Sequence, residues 1–306
     1  MKILITGGAG YVGILLTEAL LQKNYQVTVL DNFMYGHDFI LHLLRYQNLK
    51  IVKYDIRNDI KPLLTECDVI FHLAGISGYP ACEANPSSAH YINVEATRSL
   101  AKVVSPSQLL VYAATTASYG DADGGVCTEE TKPKPASLYG ITKSKAEQFV
   151  MEHENSISLR FATLFGVSPK MRSDLLVNDF ACKAVHDRCI VLFEAGARRT
   201  FLHVRDAVRA YLLAMEQSQK MKNNIYNVGY EVLNYTKLEI AGAIKEKTGC
   251  TVIDSPIQDV DQRNFTISFD KIRALGYEPK VTLDQGIDEL VSLYRFYRPY
   301  SAFRTI

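Results

Sequence analysis

Lys2-Ile3-Leu4-Ile5-Thr6-Gly7-Gly8-Ala9-Gly10-Tyr11-Val12-Gly13 is the stretch that decides the fold. Its first five residues are a short run suited to a buried strand, spaced glycines follow, and an apolar helical stretch continues to Leu21. Strand, glycine turn and helix together form the arrangement that holds a dinucleotide. Gly7 permits the tight turn, and Gly10 lets the backbone approach a pyrophosphate at the helix N-terminus, where unpaired N–H groups attract anions. Gly13 is expected to let the helix pack closely on the sheet. A second strand, Gln26 to Leu30, ends in Asp31, placed to bind adenosine ribose hydroxyls and to repel a 2′-phosphate. That favours NAD over NADP; the plainer reading of Asp31 is a turn residue in Asp31-Asn32.

Strand candidates recur at Leu49 to Tyr54, Asp68 to Leu73, Leu109 to Ala113 and Ile157 to Ala162, with helical stretches between most of them. Such alternation predicts an α/β fold, a Rossmann-type doubly wound parallel sheet. After Gly166 the pattern loosens into shorter strands such as Ile225 to Val228 and helices beginning near Asp206, Thr236 and Leu283; Thr236 with Glu239 suits a capping box. The expected division is a Rossmann domain over residues 1–165 and a smaller, partly interleaved substrate-binding lobe over 166–306, with some chain returning to the first domain. The lobe should close over the sheet edge where ligands of open α/β sheets bind.

Tyr139-Gly140-Ile141-Thr142-Lys143 carries the chemistry. On a helix, positions four apart share a face, so an ammonium lies beside a phenol whose ordinary pKa is near 10; the positive charge favours the phenolate. Tyr139 is thereby a general base able to take an alcohol proton while hydride leaves for a nicotinamide. Thr115, ending the apolar run before it, is a hydroxyl partner. A Tyr and Lys at this spacing are common on solvated helix faces, so the weight comes from the glycine turn upstream.

Composition agrees with an enzyme of this kind. The 306 residues are 47% hydrophobic, enough for a large core. A net charge of +1 gives no general pull towards nucleic acid or membrane. The apolar segments are too short to span a bilayer, and the N-terminus reads as a core strand rather than a signal peptide. Six scattered cysteines lack CxxC spacing and the seven histidines lack HxxxH spacing. Reduced thiols, a cytoplasmic setting and no metal are expected. His72 is expected to satisfy backbone groups at a turn, and Asp206 to cap the helix after His203.

The chain resembles the extended short-chain dehydrogenase/reductases of the NAD-dependent nucleotide-sugar epimerase/dehydratase family over nearly its whole length. Gly7, Gly10 and Gly13 match the family's GxxGxxG, with Tyr11 and Val12 inside it. Asp31-Asn32 matches its ribose-binding turn, Asp55-Ile56 its adenine side, Leu73-Ala74-Gly75 the turn after the fourth strand, and Asn93 an Asn on the following helix. Tyr112 to Gly120 matches the catalytic strand, placing Thr115 at the family's catalytic Ser or Thr. The resemblance implies NAD as cofactor, Thr115, Tyr139 and Lys143 as catalytic residues, and a nucleotide-diphosphate sugar as substrate. It implies substrate contacts from Thr115, Thr116, Asn178, Arg199 and Arg263, the two arginines gripping the diphosphate by paired hydrogen bonds. It also implies a homodimer through the helix carrying Tyr139 and the helix after Asn93.

Departures from the pattern narrow the reaction. Dehydratases of the family carry an Asp-Glu pair after the catalytic Thr, where this chain has Thr116 and Ala117. Thr163 stands where many relatives have Asn, and Ala114 where Ser is common. The stretches Ser168 to Phe180 and Ile190 to Arg199, with Cys127-Thr128-Glu129-Glu130, resemble enzymes of bacterial capsule biosynthesis that oxidise C4 of a GDP-heptose. Cys127 is more simply loop packing than an acid or base beside a keto group. The expectation is oxidation of a sugar C4 hydroxyl to a 4-keto sugar, with 4-epimerisation as the alternative; a 4,6-dehydratase and a non-catalytic NAD-binding protein rank below both.

Overall fold

The computed structural model describes residues 1–120, 125–256 and 266–299. Seven parallel strands form the central sheet: β1 (Lys2–Thr6), β2 (Gln26–Asp31), β3 (Leu49–Lys53), β4 (Val69–His72), β5 (Leu109–Thr115), β6 (Ser156–Phe161) and β7 (Asn224–Val228). Across the sheet they run β3-β2-β1-β4-β5-β6-β7. This is the doubly wound order, extended by a seventh strand.

Both sheet faces are covered, so the central strands are apolar throughout rather than alternating. Ile3 and Ile5 of β1 enter one core with Val29, Phe71 and Val111, while Leu4 enters the other with Ile70, Leu110 and Tyr112. The first core includes the Gly13–Gln22 helix through Ile14 and Leu20; the second includes Ala146 and Val150 of the Leu138–Met151 helix. β1 sits between β2 and β4, with Ile3 opposite both Val27 and Val69. The chain reverses direction across the sheet here, which opens a crevice beyond the strands' C-terminal ends.

Beyond Gly166 the chain contributes to two cores. β7 completes the sheet edge, and the Val204–Glu216 helix packs on the sheet through Ala207 and Tyr211, in one core with Val228 of β7. Helices Leu176–His186, Lys237–Thr248 and Leu283–Tyr294 gather around Phe165, Phe201, Ile240 and Ile287. Strand Arg198–His203 runs parallel to Thr163–Phe165 and antiparallel to Asn234–Thr236, while Cys189–Phe193 pairs with Thr251–Ser255. Thr236 and Glu239 form the expected reciprocal capping box. The helix after His203 is capped differently from expectation. His203 Nδ1 accepts from the Arg205 N–H at 3.2 Å, while the buried Asp206 carboxylate accepts from Lys280 and Val281 N–H at 2.9 and 3.0 Å. Asp206 thus ties a distant loop to the helix instead of starting it.

Candidate active site

A cleft of about 560 Å³ lies beyond the C-terminal ends of the sheet, between the sheet and the residues after Gly166. Its sheet end is made largely of backbone. Gly7 has φ +71°, and a Cβ there would stand 2.7 Å from the Ala74 nitrogen. The Gly10 N–H closes the turn on the Gly7 carbonyl at 3.0 Å. Gly13 is required for a reason other than the expected one: its Cβ would come 2.2 Å from the Gly7 oxygen, so the helix's first turn rests on the glycine turn itself rather than on the sheet.

Asp31 receives this loop. Its carboxylate accepts from the Ala9 N–H at 3.1 Å and the Phe33 N–H at 2.9 Å. Burial raises its pKa even so, with the N–H groups pulling the other way. Asn32 donates to Asp55 at 3.4 Å, and Asp55 forms a two-point ion pair with Arg57 that holds its carboxyl down at about 2. Tyr11, Val12, Ile56, Leu73, Ala74 and Gly75 line the same end. Asn93 does not line it. Buried behind the wall, it holds both backbone polar groups of Ile76, at 2.7 and 2.9 Å, and donates to Thr142 at 3.1 Å. It fixes the turn after β4 against the helix that bears Tyr139.

Thr115, Thr116, Tyr139 and Lys143 all line the middle of the cleft. Thr115 ends β5, and its Oγ1 accepts from the Ala117 N–H at 3.1 Å. Ser137 caps the Leu138–Met151 helix by accepting from the Gly140 N–H, which sets Tyr139 in the first turn and Lys143 one turn on. A Cβ on Gly140 would stand 2.7 Å from the Ala117 oxygen. Glycine beside the tyrosine therefore lets this helix approach the turn that follows Thr115. Lys143 is 5% exposed, with Nζ 4.1 Å from the Tyr112 ring centroid. Burial pushes its pKa down to about 7, opposed by the carboxylate of Glu147.

Glu147, one turn further, is itself clamped. Arg160 donates to it at 2.6 to 3.1 Å and Ser158 at 2.6 Å; Arg160 also donates to Tyr119, whose hydroxyl donates to Asn227. This buried network ties the helix bearing Tyr139 to β6, to β7 and to the turn after β5. His72 is likewise structural, but it meets hydroxyls instead of the expected backbone groups: Nδ1 lies 2.6 Å from Thr6 Oγ1 and Nε2 2.9 Å from Thr97 Oγ1. Burial, with Lys143 adding to it, lowers its pKa to about 3 and keeps it neutral.

The far end of the cleft is made of side chains. Tyr11 donates to the Gly166 carbonyl at 2.7 Å and Ser168 to the Tyr11 carbonyl at 2.7 Å, drawing the segment after Gly166 over the glycine turn. That segment places Lys170, Arg172 and Asp174 in the cleft wall, three residues that sequence reasoning did not single out. Arg172 is ion-paired with Asp174 and donates to Ser77 at 3.0 Å. Burial works against its charge; Asp174, Tyr139 and Tyr11 outweigh that and hold the guanidinium charged. Their signal was the alternation of cations and anion in Lys170-Met171-Arg172-Ser173-Asp174, directly after Pro169.

Asn178, expected to meet phosphates, turns inward. Its amide accepts from the Gly166 N–H at 2.9 Å and donates to the Arg172 carbonyl at 2.8 Å, and its neighbour Asp179 is the residue that lines the cleft. Arg199 lines the cleft, as does Lys237, another residue not anticipated. Arg263 lies outside the described residues. Cys127 is 1% exposed, in a two-residue strand paired with Thr266–Ile267 in the sheet-side core, and burial raises its thiol pKa. Among the described residues, no group of three or more His, Cys, Asp or Glu is placed to hold a metal ion, and no helix is long and apolar enough to cross a membrane.

The model of the NAD dependent epimerase/dehydratase family matches residues 3–229. The chain belongs to this family. It is 29% identical to an uncharacterized UDP-glucose epimerase of Bacillus subtilis, over 97% of this chain and 99% of that one. It is 30% identical to UDP-glucuronic acid decarboxylase 6 of Arabidopsis thaliana, over 94% and 87%. Among solved structures, UDP-glucuronic acid 4-epimerase from Bacillus cereus, in complex with UDP-glucuronic acid and NAD, superposes with a TM-score of 0.87 at 25% identity, over 96% of this chain and 99% of that one. The chain is an enzyme of a family that acts on nucleotide sugars.

Proposed function

We propose that this protein uses NAD to oxidise the C4 hydroxyl of a nucleotide-diphosphate sugar. The observation that carries the reading is the placing of Thr115, Tyr139 and Lys143 in one cleft with the glycine turn and Asp31. The residues suit a dinucleotide. Gly7 leaves no room for a Cβ, the Gly13–Gln22 helix begins at the turn, and the carboxylate on β2 opposes a 2′-phosphate. NAD, when bound, supplies a hydride acceptor. Tyr139 takes the hydroxyl proton, Thr115 shares that hydroxyl and orients it, and Lys143 holds positive charge beside the phenol as it ionises. Arg199, together with Arg263, grips the diphosphate.

Thr116 and Ala117 occupy the positions after Thr115 where dehydratases carry acid and base, so elimination of water lacks its groups. The likeness to a UDP-glucose epimerase and to a UDP-glucuronic acid 4-epimerase supports return of hydride to the opposite face, giving the C4 epimer of a UDP-sugar. Release of the 4-keto sugar is the second reading. The segment resembling the GDP-heptose oxidising enzymes contributes Lys170, Arg172, Asp174 and Asp179 to the cleft wall, where a substrate would feel them. A homodimer through the Thr97–Val103 and Leu138–Met151 helices fits Tyr91 and Ile141, both exposed beside or on them at 60% and 47%.

Incubation with UDP-hexoses, UDP-hexuronic acids and GDP-heptose, followed by mass analysis and chromatography, tests the proposal. An isomer identifies the epimerase and a loss of two hydrogens the dehydrogenase. A loss of water, or no conversion of any sugar, overturns it.

A further inference from the structure

Tyr112 lies in the middle of β5, fully buried in the second core behind the cleft wall. Two contacts meet its ring. The His72 ring is tilted against it with centroids 5.7 Å apart, and the Lys143 ammonium stands over it at 4.1 Å from the centroid. The hydroxyl is buried without a hydrogen-bond partner among the described residues, so the ring face is what meets the ammonium. The electron-rich face of an aromatic ring attracts a cation, most strongly where water is excluded. Lys143 is in that situation, one turn after Tyr139 on the same helix. The charged and titratable groups around it offer less. Glu147, a turn further on, already receives Arg160 and Ser158. Burial keeps His72 on β4 neutral, and it raises the Cys82 thiol of the Tyr79–Ala84 helix to about 11, so neither carries charge near neutral pH.

We propose that Tyr112 is a positioning residue of this centre, its ring face seating the Lys143 ammonium as a cation beside Tyr139. This rests on the reading of Lys143 as the charge that favours the phenolate, and adds the group that keeps the charge inside a buried wall. Burial alone would discharge the amine, and a lysine near a pKa of about 7 responds to small changes in its surroundings. A ring contact that shifts the titration by about one unit moves the charged fraction at neutral pH from about a tenth to about half.

The test follows the Lys143 side-chain resonance against pH in protein carrying isotope-labelled lysine and stripped of NAD, the resonance being assigned by its absence in Lys143→Met. Tyr112→Phe keeps the ring face and Tyr112→Leu removes it. Site-specific replacement of Tyr112 by a fluorinated phenylalanine keeps the shape and draws electron density from the face. Wild type and Tyr112→Phe should titrate within about 0.3 unit of each other, with the other two about one unit lower. On the sugar substrate, turnover of those two should fall about fivefold near pH 7 but only about twofold near pH 6, whereas a structural defect would lower it equally at both. Melting temperature reports folding, and the fluorinated variant decides the matter if Tyr112→Leu does not fold. A Lys143 titration unmoved by loss or fluorination of the ring face overturns this inference and leaves the reading of the site standing, as does a shift in Tyr112→Phe equal to that in Tyr112→Leu. A wild type that converts no sugar overturns that reading, and the role of Tyr112 in catalysis with it.

Discussion

At the sheet end of the cleft the lining surface is largely main chain, where a Cβ on Gly7 would meet the Ala74 backbone and one on Gly13 the Gly7 oxygen. At the lobe end it is long side chains, with Lys170, Arg172, Arg199 and Lys237 reaching in from a loop, a strand and a helix start. The first construction fixes one ligand shape, because changing Gly7 or Gly13 disturbs the fold. The second is open to revision, because a cleft-lining side chain on a lobe can change without moving the sheet. Under the proposed function, selectivity for cofactor and selectivity for substrate would be governed by different means in the two halves.

The largest effect expected falls where the halves meet. Tyr139→Phe keeps the ring that packs beside the second core and removes the proton acceptor. Turnover should drop by roughly 10²–10⁴, the usual contribution of a general base, with NAD content and melting temperature little changed. Steady-state rates on the substrate identified by the mass assay measure it, and near-normal turnover would refute the proton-acceptor role. Next comes the glycine turn. Gly13→Ala forces a Cβ to 2.2 Å from the Gly7 oxygen, where neither partner has a flexible end to move. A loss of about 3 kcal/mol or more in denaturant unfolding is expected, with loss of bound NAD. An equivalent substitution at Gly242, whose Cβ would meet nothing within 4 Å, should be tolerated, which separates the collision from the mere loss of a glycine.

What was legible in the sequence follows the same division. β1, β2, β5 and β6 are bounded by residues whose types admit few alternatives, and they appear within a residue or two of where the apolar runs placed them. Thr115, Tyr139 and Lys143 share the cleft because helix geometry and the Gly140 contact bring them there. The lobe was less readable. A helix start does not announce which of two adjacent residues will face a cleft, so Asn178 was expected where Asp179 stands. Lys170 and Lys237 were not singled out because burial at 4% depends on contacts far along the chain. His203 as a cap was hidden for a related reason: Asp206, the residue expected to cap, is engaged with Lys280 and Val281 from far along the chain, while the His203 ring accepts from Arg205.

Lys143 offers a comparison within the sheet half, between fitness for chemistry and fitness for folding. Its pKa in the folded chain lies at about 7 against an ordinary value of 10.5. Between those values the unfolded chain holds a proton that the folded chain does not, so stability rises with pH across this window and is lowest below it. Lys143→Met removes the titrating group. In protein stripped of NAD, the variant should be more stable than the wild type near pH 6, and this advantage should shrink by about 2 kcal/mol by pH 9. Urea unfolding at the two pH values measures it, and an advantage that stayed constant would show that Lys143 is not held below its ordinary pKa.

The smallest effect separates the two jobs of Asp31. Its carboxylate accepts from Ala9 and Phe33, which is structural, and in the proposed role its negative charge opposes a 2′-phosphate, which is selective. Asn at this position keeps one carbonyl acceptor and loses the charge. Asp31→Asn should therefore retain most of the affinity for NAD while the preference over NADP falls by about tenfold, close to 1.4 kcal/mol. Competition titration of the two cofactors reads the ratio directly. If NAD affinity collapsed while the ratio held, Asp31 would be a turn residue whose position next to the cofactor end is incidental, and selectivity would have to be sought in Tyr35 and Lys170, which also line the cleft.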